Sequence, residues 1–182
     1  MPKYNVFETT NVGAVHFAER IFDAVAATDI ENGTFGYLNG LATGETHIYN
    51  FVAGTSDGAQ IVVANNPAWN YDTSRITNQR RDKYIIPAGT PFRVFVLKKN
   101  DEFATAIEGV TSASRTNMDV NAYVTIDSST GKLVASSTAP TGTPAFVGTV
   151  MRKRVSGGTI ATSAHNYGCA TTLYEVKVTT IS

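Results

Sequence analysis

The sequence is short of nearly everything that usually carries chemistry. It has one cysteine, Cys169, so neither an internal disulfide nor a cysteine-based zinc cluster can form. Its three histidines, His16, His47 and His165, show neither His-x-His nor His-x-x-x-His spacing, and no metal site is expected. Charged residues are only 16% of the chain, and 15 basic groups against 15 acidic ones cancel to a net charge of zero. Proteins held mainly by phosphate backbones need a basic excess, so nucleic acid is not an expected partner. No run of about eighteen apolar residues occurs, which excludes a transmembrane helix and gives no reason to expect a membrane partner. The opening Met-Pro-Lys-Tyr-Asn-Val-Phe-Glu-Thr-Thr has no apolar core of the signal-peptide kind. The expectation is a protein made and folded in the cytoplasm.

Catalytic signatures are equally scarce. There is no phosphate-binding Gly-x-x-x-x-Gly-Lys-Ser/Thr loop and no Gly-x-Gly-x-x-Gly after a strand, so no nucleotide cofactor is expected. The pairs Asp101-Glu102 and Asp29/Glu31 fit turns and strand edges better than the two sides of a cleft. His165 and Cys169 lie in a short Gly-interrupted stretch, where the thiol reads as a small buried hydrophobe. No catalytic residue is assigned, and the protein is not expected to be an enzyme.

What the chain does have is strand and turn formers: 25 Thr, 18 Val, 15 Gly, 13 Asn and 11 Ser, against seven Lys and seven Glu. That usage predicts a mainly β fold, an antiparallel sandwich or barrel. In 172–179 the residues Tyr174, Val176 and Val178 alternate with Glu175, Lys177 and Thr179, so one face of a strand is buried. In 92–97, Phe92, Val94 and Val96 face one way while Phe95 and Leu97 face the other, which predicts a strand covered on both sides. Further strands are predicted at 34–38, 47–52, 60–64, 83–86, 103–107, 122–126, 132–135 and 145–152. Asp127-Ser-Ser-Thr-Gly131 reads as a hairpin loop ending on its glycine. The stretch 14–27 carries apolar residues at three- and four-residue steps and fits one short helix, or an extended arm with a single turn. The organisation expected is an N-terminal arm at 1–28 and a β domain at 29–182, with a weak boundary near 111–145 where Ser, Thr, Ala and Gly accumulate.

Charge is balanced overall but not along the chain. Residues 1–70 hold seven acids and two bases, while residues 71–100 hold seven bases and two acids. The two segments either neutralise each other within one molecule or meet between copies. The most informative stretch follows Asn65: Trp69, Tyr71, Arg75, Arg80 and Arg81 sit in a long connection between strands. Aromatic, amide and guanidinium groups in such a loop suit an anchor for a protein partner, a platform for sugar or single-stranded nucleic acid, or a phosphate patch. A tryptophan plugging the open end of a sandwich is the structural alternative.

Several phrases resemble those of tailed-phage virion proteins: Ala27-Thr-Asp-Ile-Glu-Asn-Gly-Thr-Phe-Gly-Tyr-Leu38, Trp69-Asn-Tyr-Asp72, Arg75-Ile-Thr-Asn-Gln-Arg80 and Pro87-Ala-Gly-Thr-Pro-Phe-Arg93. The first is similar to the Asp-Ile-x-Asn-Gly hairpin opening of small β-rich capsid decoration, or cement, proteins. The resemblance spans roughly residues 20–110. It implies a virion component, assembled in the host cytoplasm, that sits on the capsid surface, binds the major capsid protein and neighbouring copies of itself, and stabilises the lattice. In that scheme the arm, with Tyr4, Val6, Phe7, Val15, Phe17, Ile21 and Phe22, adds to a neighbour as an extra strand; its alternative is a first strand and helix packed on the protein's own core. A tail-tube or fibre component and a carbohydrate-binding β module using Trp69, Tyr71 and Tyr84 are the other functions weighed.

Overall fold

The computed structural model describes residues 3–68, 80–156 and 171–181. Five strands, β2 (Ile21–Ala26), β3 (Phe35–Leu41), β4 (Ile48–Ala53), β5 (Val62–Ala64) and β6 (Phe92–Val96), close into a barrel in the order β2-β4-β3-β5-β6. All its pairs are antiparallel except β2 with β4. Six others form an antiparallel sheet in the order β1-β7-β11-β10-β8-β9: β1 (Phe7–Asn11), β7 (Glu102–Ala106), β8 (Tyr123–Ile126), β9 (Leu133–Ser136), β10 (Phe146–Ser156) and β11 (Thr171–Ile181). The fold is therefore mainly β, with a barrel packed against a sheet.

Strand alternation explains how the two layers join. On β6, Phe92, Val94 and Val96 point into the barrel with Ala24, Phe51, Val62 and Ile86. Phe95 points outward and lies in register with Val63, which faces Phe35 in turn, so one apolar row crosses three strands on the outside of the barrel wall. Phe103, Phe146, Val176 and Val178 of the sheet cover that row and complete a second core. Ring centroids of Phe35 lie 5.6 Å from Phe103 and 5.4 Å from Phe146. Each fully buried Phe contributes about 2–3 kcal/mol by area, with up to about 1 kcal/mol more from such aromatic contacts.

Residues 14–27 do not form a helix. Two short 3-10 turns, Gly13–His16 and Ala18–Arg20, lead straight into β2. From Phe22 onward the side chains that enter the barrel are Phe22, Ala24 and Ala26, a period of two that β4 and β6 satisfy and a helix would scatter. Of the two arrangements open for the first 28 residues, the described part takes the packed one: β1 lies along β7 and β2 inside the barrel circuit. The strand predicted at 83–86 reduces to a 3-10 turn, Arg81–Lys83, and a single bridge between Ile30 and Ile86. The other nine predicted strands coincide with observed ones, while β1 and β2 complete the set.

The predicted hairpin at 127–131 is present and locks the sheet to the barrel. Asp127 Oδ1 accepts hydrogen bonds from the backbone N–H groups of Ser129 and Thr130 and from both hydroxyls. Led by the Ser129 hydroxyl, these donors hold the Asp127 carboxyl down at about 2. The loop docks on the barrel through Phe35 N–H to Gly131 O at 2.8 Å and Thr55 N–H to Ser128 O at 3.3 Å. Gly131 has φ +66°, and a Cβ there would sit 2.0 Å from Phe35 O, whereas Gly58, at φ +70°, faces open space. Gly131→Ala therefore destabilises the fold by about 2 kcal/mol or more and Gly58→Ala by about 1, a ranking that urea midpoints measure.

Candidate functional site

The residues singled out as partner contacts do not gather in one place. Val6 and Phe7 are buried, Phe7 stacking on Phe103 with centroids 5.3 Å apart. Tyr4 is half-buried and its N–H donates to Asp82 O at 2.9 Å. Phe22 packs against the barrel core and edge-on to Tyr49. Arg80 clamps Asp82 through Nε and Nη2 at 2.9 and 2.7 Å. Arg81 pairs with Glu8 and is half-exposed. Trp69, Tyr71 and Arg75, and with them the contrast between a plug and a platform, lie outside the described residues, as do His165 and Cys169. Phe17 is the exception: it is 56% exposed, with Val15 two residues earlier at 45%.

That exposure is held, not loose. Phe17 joins the two 3-10 turns, its N–H donating to Ala14 O and its carbonyl accepting from Arg20 N–H. Val12 and Ala14 anchor the first turn in the core. Arg20 anchors the second: Nη2 donates to Asp101 Oδ2 at 2.8 Å and to Val96 O at 3.0 Å. Asp101 also accepts from the N–H groups of Gly13 and Lys98, so its carboxylate ties the leader to the connection between β6 and β7. The pair spans 81 positions of sequence and has no local signal, which is why sequence reasoning missed it.

A second electrostatic feature crosses the outer face of the sheet. Glu8 of β1, Ala104 of β7, Glu175 of β11 and Arg152 of β10 stand in one cross-strand row. Two strand spacings put the Cα atoms of the two glutamates about 10 Å apart, with the small Ala104 between them, and their carboxylates reach toward a shared arginine. Arg154, one row along, donates to both, and Arg81 and Arg152 close the chain at its ends. Alternation assigned Glu175 to solvent, yet it is only 5% exposed, because Arg152 and Arg154 lie beside it. Burial pushes the Glu8 and Glu175 carboxyls up, but the hydrogen bonds and charges of their arginines outweigh it and hold both below the ordinary range. Glu8 with Arg81 also shows the acidic and basic segments meeting within one molecule.

The cavities add little chemistry. A cleft of about 380 Å3 lies between β1 and the barrel, lined by Asn5, Phe7, Asn32, Asn66, Arg81 and Phe95 among others. Its amides serve the fold: Asn32 and Asn66 exchange two hydrogen bonds, while Asn5 donates to Asn32 O and accepts from Thr105 and Ala106. Gly54-Thr-Ser-Asp-Gly58 has Gly-x-Ser-x-Gly spacing, but it leads from β4 into a turn and then β5, and a nucleophile elbow needs a following helix. Among the described residues there is no cluster of three or more metal-ligating side chains and no helix long and apolar enough to cross a membrane.

Family models, curated proteins and solved structures offer no match to this chain. Its function must be argued from its own residues.

The outer row has a pH signature. A carboxyl whose folded pKa lies below its unfolded value contributes stability above the unfolded value, near 4.5 for Glu8 and Glu175, and loses it as pH falls further. Thermal unfolding midpoints should therefore drop as the pH is lowered from 5 toward 3, and Glu175→Gln should lower the midpoint at pH 7 while flattening that acid limb. For the buried pair, Asp101→Ala leaves Arg20 uncompensated and should cost about 3 kcal/mol in denaturant titrations.

Proposed function

We propose that this chain is a non-enzymatic structural protein of a virion, one that binds the outer surface of a tailed-phage capsid and cements the lattice of its major capsid protein. The observation that carries the reading is the Val15–Phe17 knob: two large apolar side chains held in solvent on a rigid double turn that is pinned by Arg20 and Asp101. An aromatic side chain presented on a backbone already tied in place loses less entropy on docking than one on an open loop, and exposed aromatics are common interface anchors.

A cement works by mass action: a protein that binds the assembled lattice and not its separated subunits stabilises the lattice by its binding free energy. Many copies, each of modest affinity, suffice. The fold suits this task, because its two cores share one wall and its polar seams are filled.

The test is sedimentation of the purified protein with capsids that lack it. Saturable binding and a raised capsid disruption temperature are expected, and Phe17→Ala should weaken binding about tenfold, the worth of half a phenylalanine's burial, with the protein's own unfolding midpoint unchanged. No binding, or binding indifferent to Phe17, defeats the reading; rings or elongated particles formed by the protein alone would place it in a tail instead.

A further inference from the structure

β10 is eleven residues long, yet it is paired on both sides for only part of its length. β11 accompanies it throughout, from Phe146 opposite Ile181 to Ser156 opposite Thr171. On its other side β8 contributes two pairs, at Gly148 and Thr149. One further exchange follows, Val150 N–H to Ala122 O and Asn121 N–H to Val150 O, and there the neighbouring chain turns away through Asn121 at φ +67°. A bulge between Val150 and Arg152 marks the same point. Beyond it, residues 151–156 form a free sheet edge among the described residues, with Met151 53% and Val155 56% exposed.

Open strands of this length are a liability unless they are blunted or used. This one reads Met-Arg-Lys-Arg-Val-Ser, three successive cations and no acid. Part of that charge is answered from within: Arg154 is held by Glu8 and Glu175, and Lys153 by Asp119. Arg152 is not fully engaged. It reaches Glu175 through Nε alone, and among the described residues its Nη1 and Nη2 groups have no hydrogen-bond partner, while the side chain stays 69% exposed.

We infer that the free edge of β10 at 151–156 is a strand-addition site for an extended acidic segment of a partner protein. Main-chain hydrogen bonds to the open edge would supply a sequence-independent part of the affinity. Specificity comes from the side chains: a carboxylate opposite Arg152 takes the unused Nη groups bidentately, and an apolar residue on the other face covers Val155. A second copy of this chain is the wrong occupant, because edge-to-edge pairing would set Arg152–Arg154 of one molecule against the same cations of the other. The inference does not depend on the partner being a capsid.

The experiment uses the full chain with two synthetic ten-residue peptides, one alternating Glu with Val and one alternating Lys with Val, followed by amide hydrogen exchange and by titration. The Glu peptide should slow exchange at least tenfold at the amides of 151–156 that point away from β11, and bind at least tenfold more tightly than the Lys peptide. Arg152→Ala should cancel about tenfold of that affinity and leave the fold intact, since Arg154 still holds Glu175. Three results would overturn the inference: protection, in the protein alone, of those amides of 151–156 that point away from β11, equal binding of the two peptides, or a dimer that forms through this edge and dissociates on Arg152→Ala.

Discussion

The outside of the barrel wall carries an apolar row, Phe35, Val63 and Phe95, that a solitary five-stranded barrel would leave in water. Much of the remaining architecture follows from covering it. The six-stranded sheet presents Phe103, Phe146, Val176 and Val178 to the row, and the chain enters that sheet at its edge through β1 before it ever reaches the barrel. Because β5 and β6 are walls of both cores, alternate residues of one strand serve different cores. A change at Val62 is felt inside the barrel, and at Val63 between the layers.

Where the two layers meet at their ends, apolar contact gives way to buried polar groups that are paired across the seam, Arg20 Nε alone among the described buried side-chain atoms lacking a partner. Asn5 joins β1, β7 and the turn at Asn32, while Asp101 gathers Arg20, Gly13 and Lys98. Such groups add little net stability, because desolvation offsets most of what their hydrogen bonds return. Their effect is on uniqueness: a leader shifted by one residue would strand a buried guanidinium or amide, so the register of residues 5–20 is fixed by what it would cost to be wrong. That fixed register is also what leaves the Phe17 side chain outside.

Period-two patterns were legible where one face is buried or where both faces are apolar, and so nine of the strands could be read from the sequence, including the double-sided β6. β1 and β2 were not. β2 is six residues long, and its interior positions Phe22, Ala24 and Ala26 share a stretch with Val15, Ala18 and Val25, whose three- and four-residue steps mimic a helix. Only tertiary pairing with β4 and β6 decides between the two periods. The electrostatic features were illegible for another reason. Glu8, Glu175 and Arg154 look like ordinary solvent-facing charges in a strand, and their conjunction depends on the order β1-β7-β11-β10, which no local signal encodes.

The segregated charge of the sequence takes on a different meaning once the sheet order is known. An acidic leader and a basic stretch in residues 71–100 suggested two opposed contact regions, but Glu8 and Arg81 bring those regions together within a single molecule. The glutamates of the outer row are then committed to arginines of their own chain, and the row as a whole is close to neutral. Two features stand open on the described surface, the apolar side chains of the Val15–Phe17 double turn and the main chain of β10 beyond its bulge with the unused donors of Arg152, and both are the kind of surface another polypeptide covers. Association through Phe17 would rest on apolar burial and should persist at raised ionic strength, whereas the preference for an acidic strand at β10 rests on the exposed Arg152 and should shrink as salt is added.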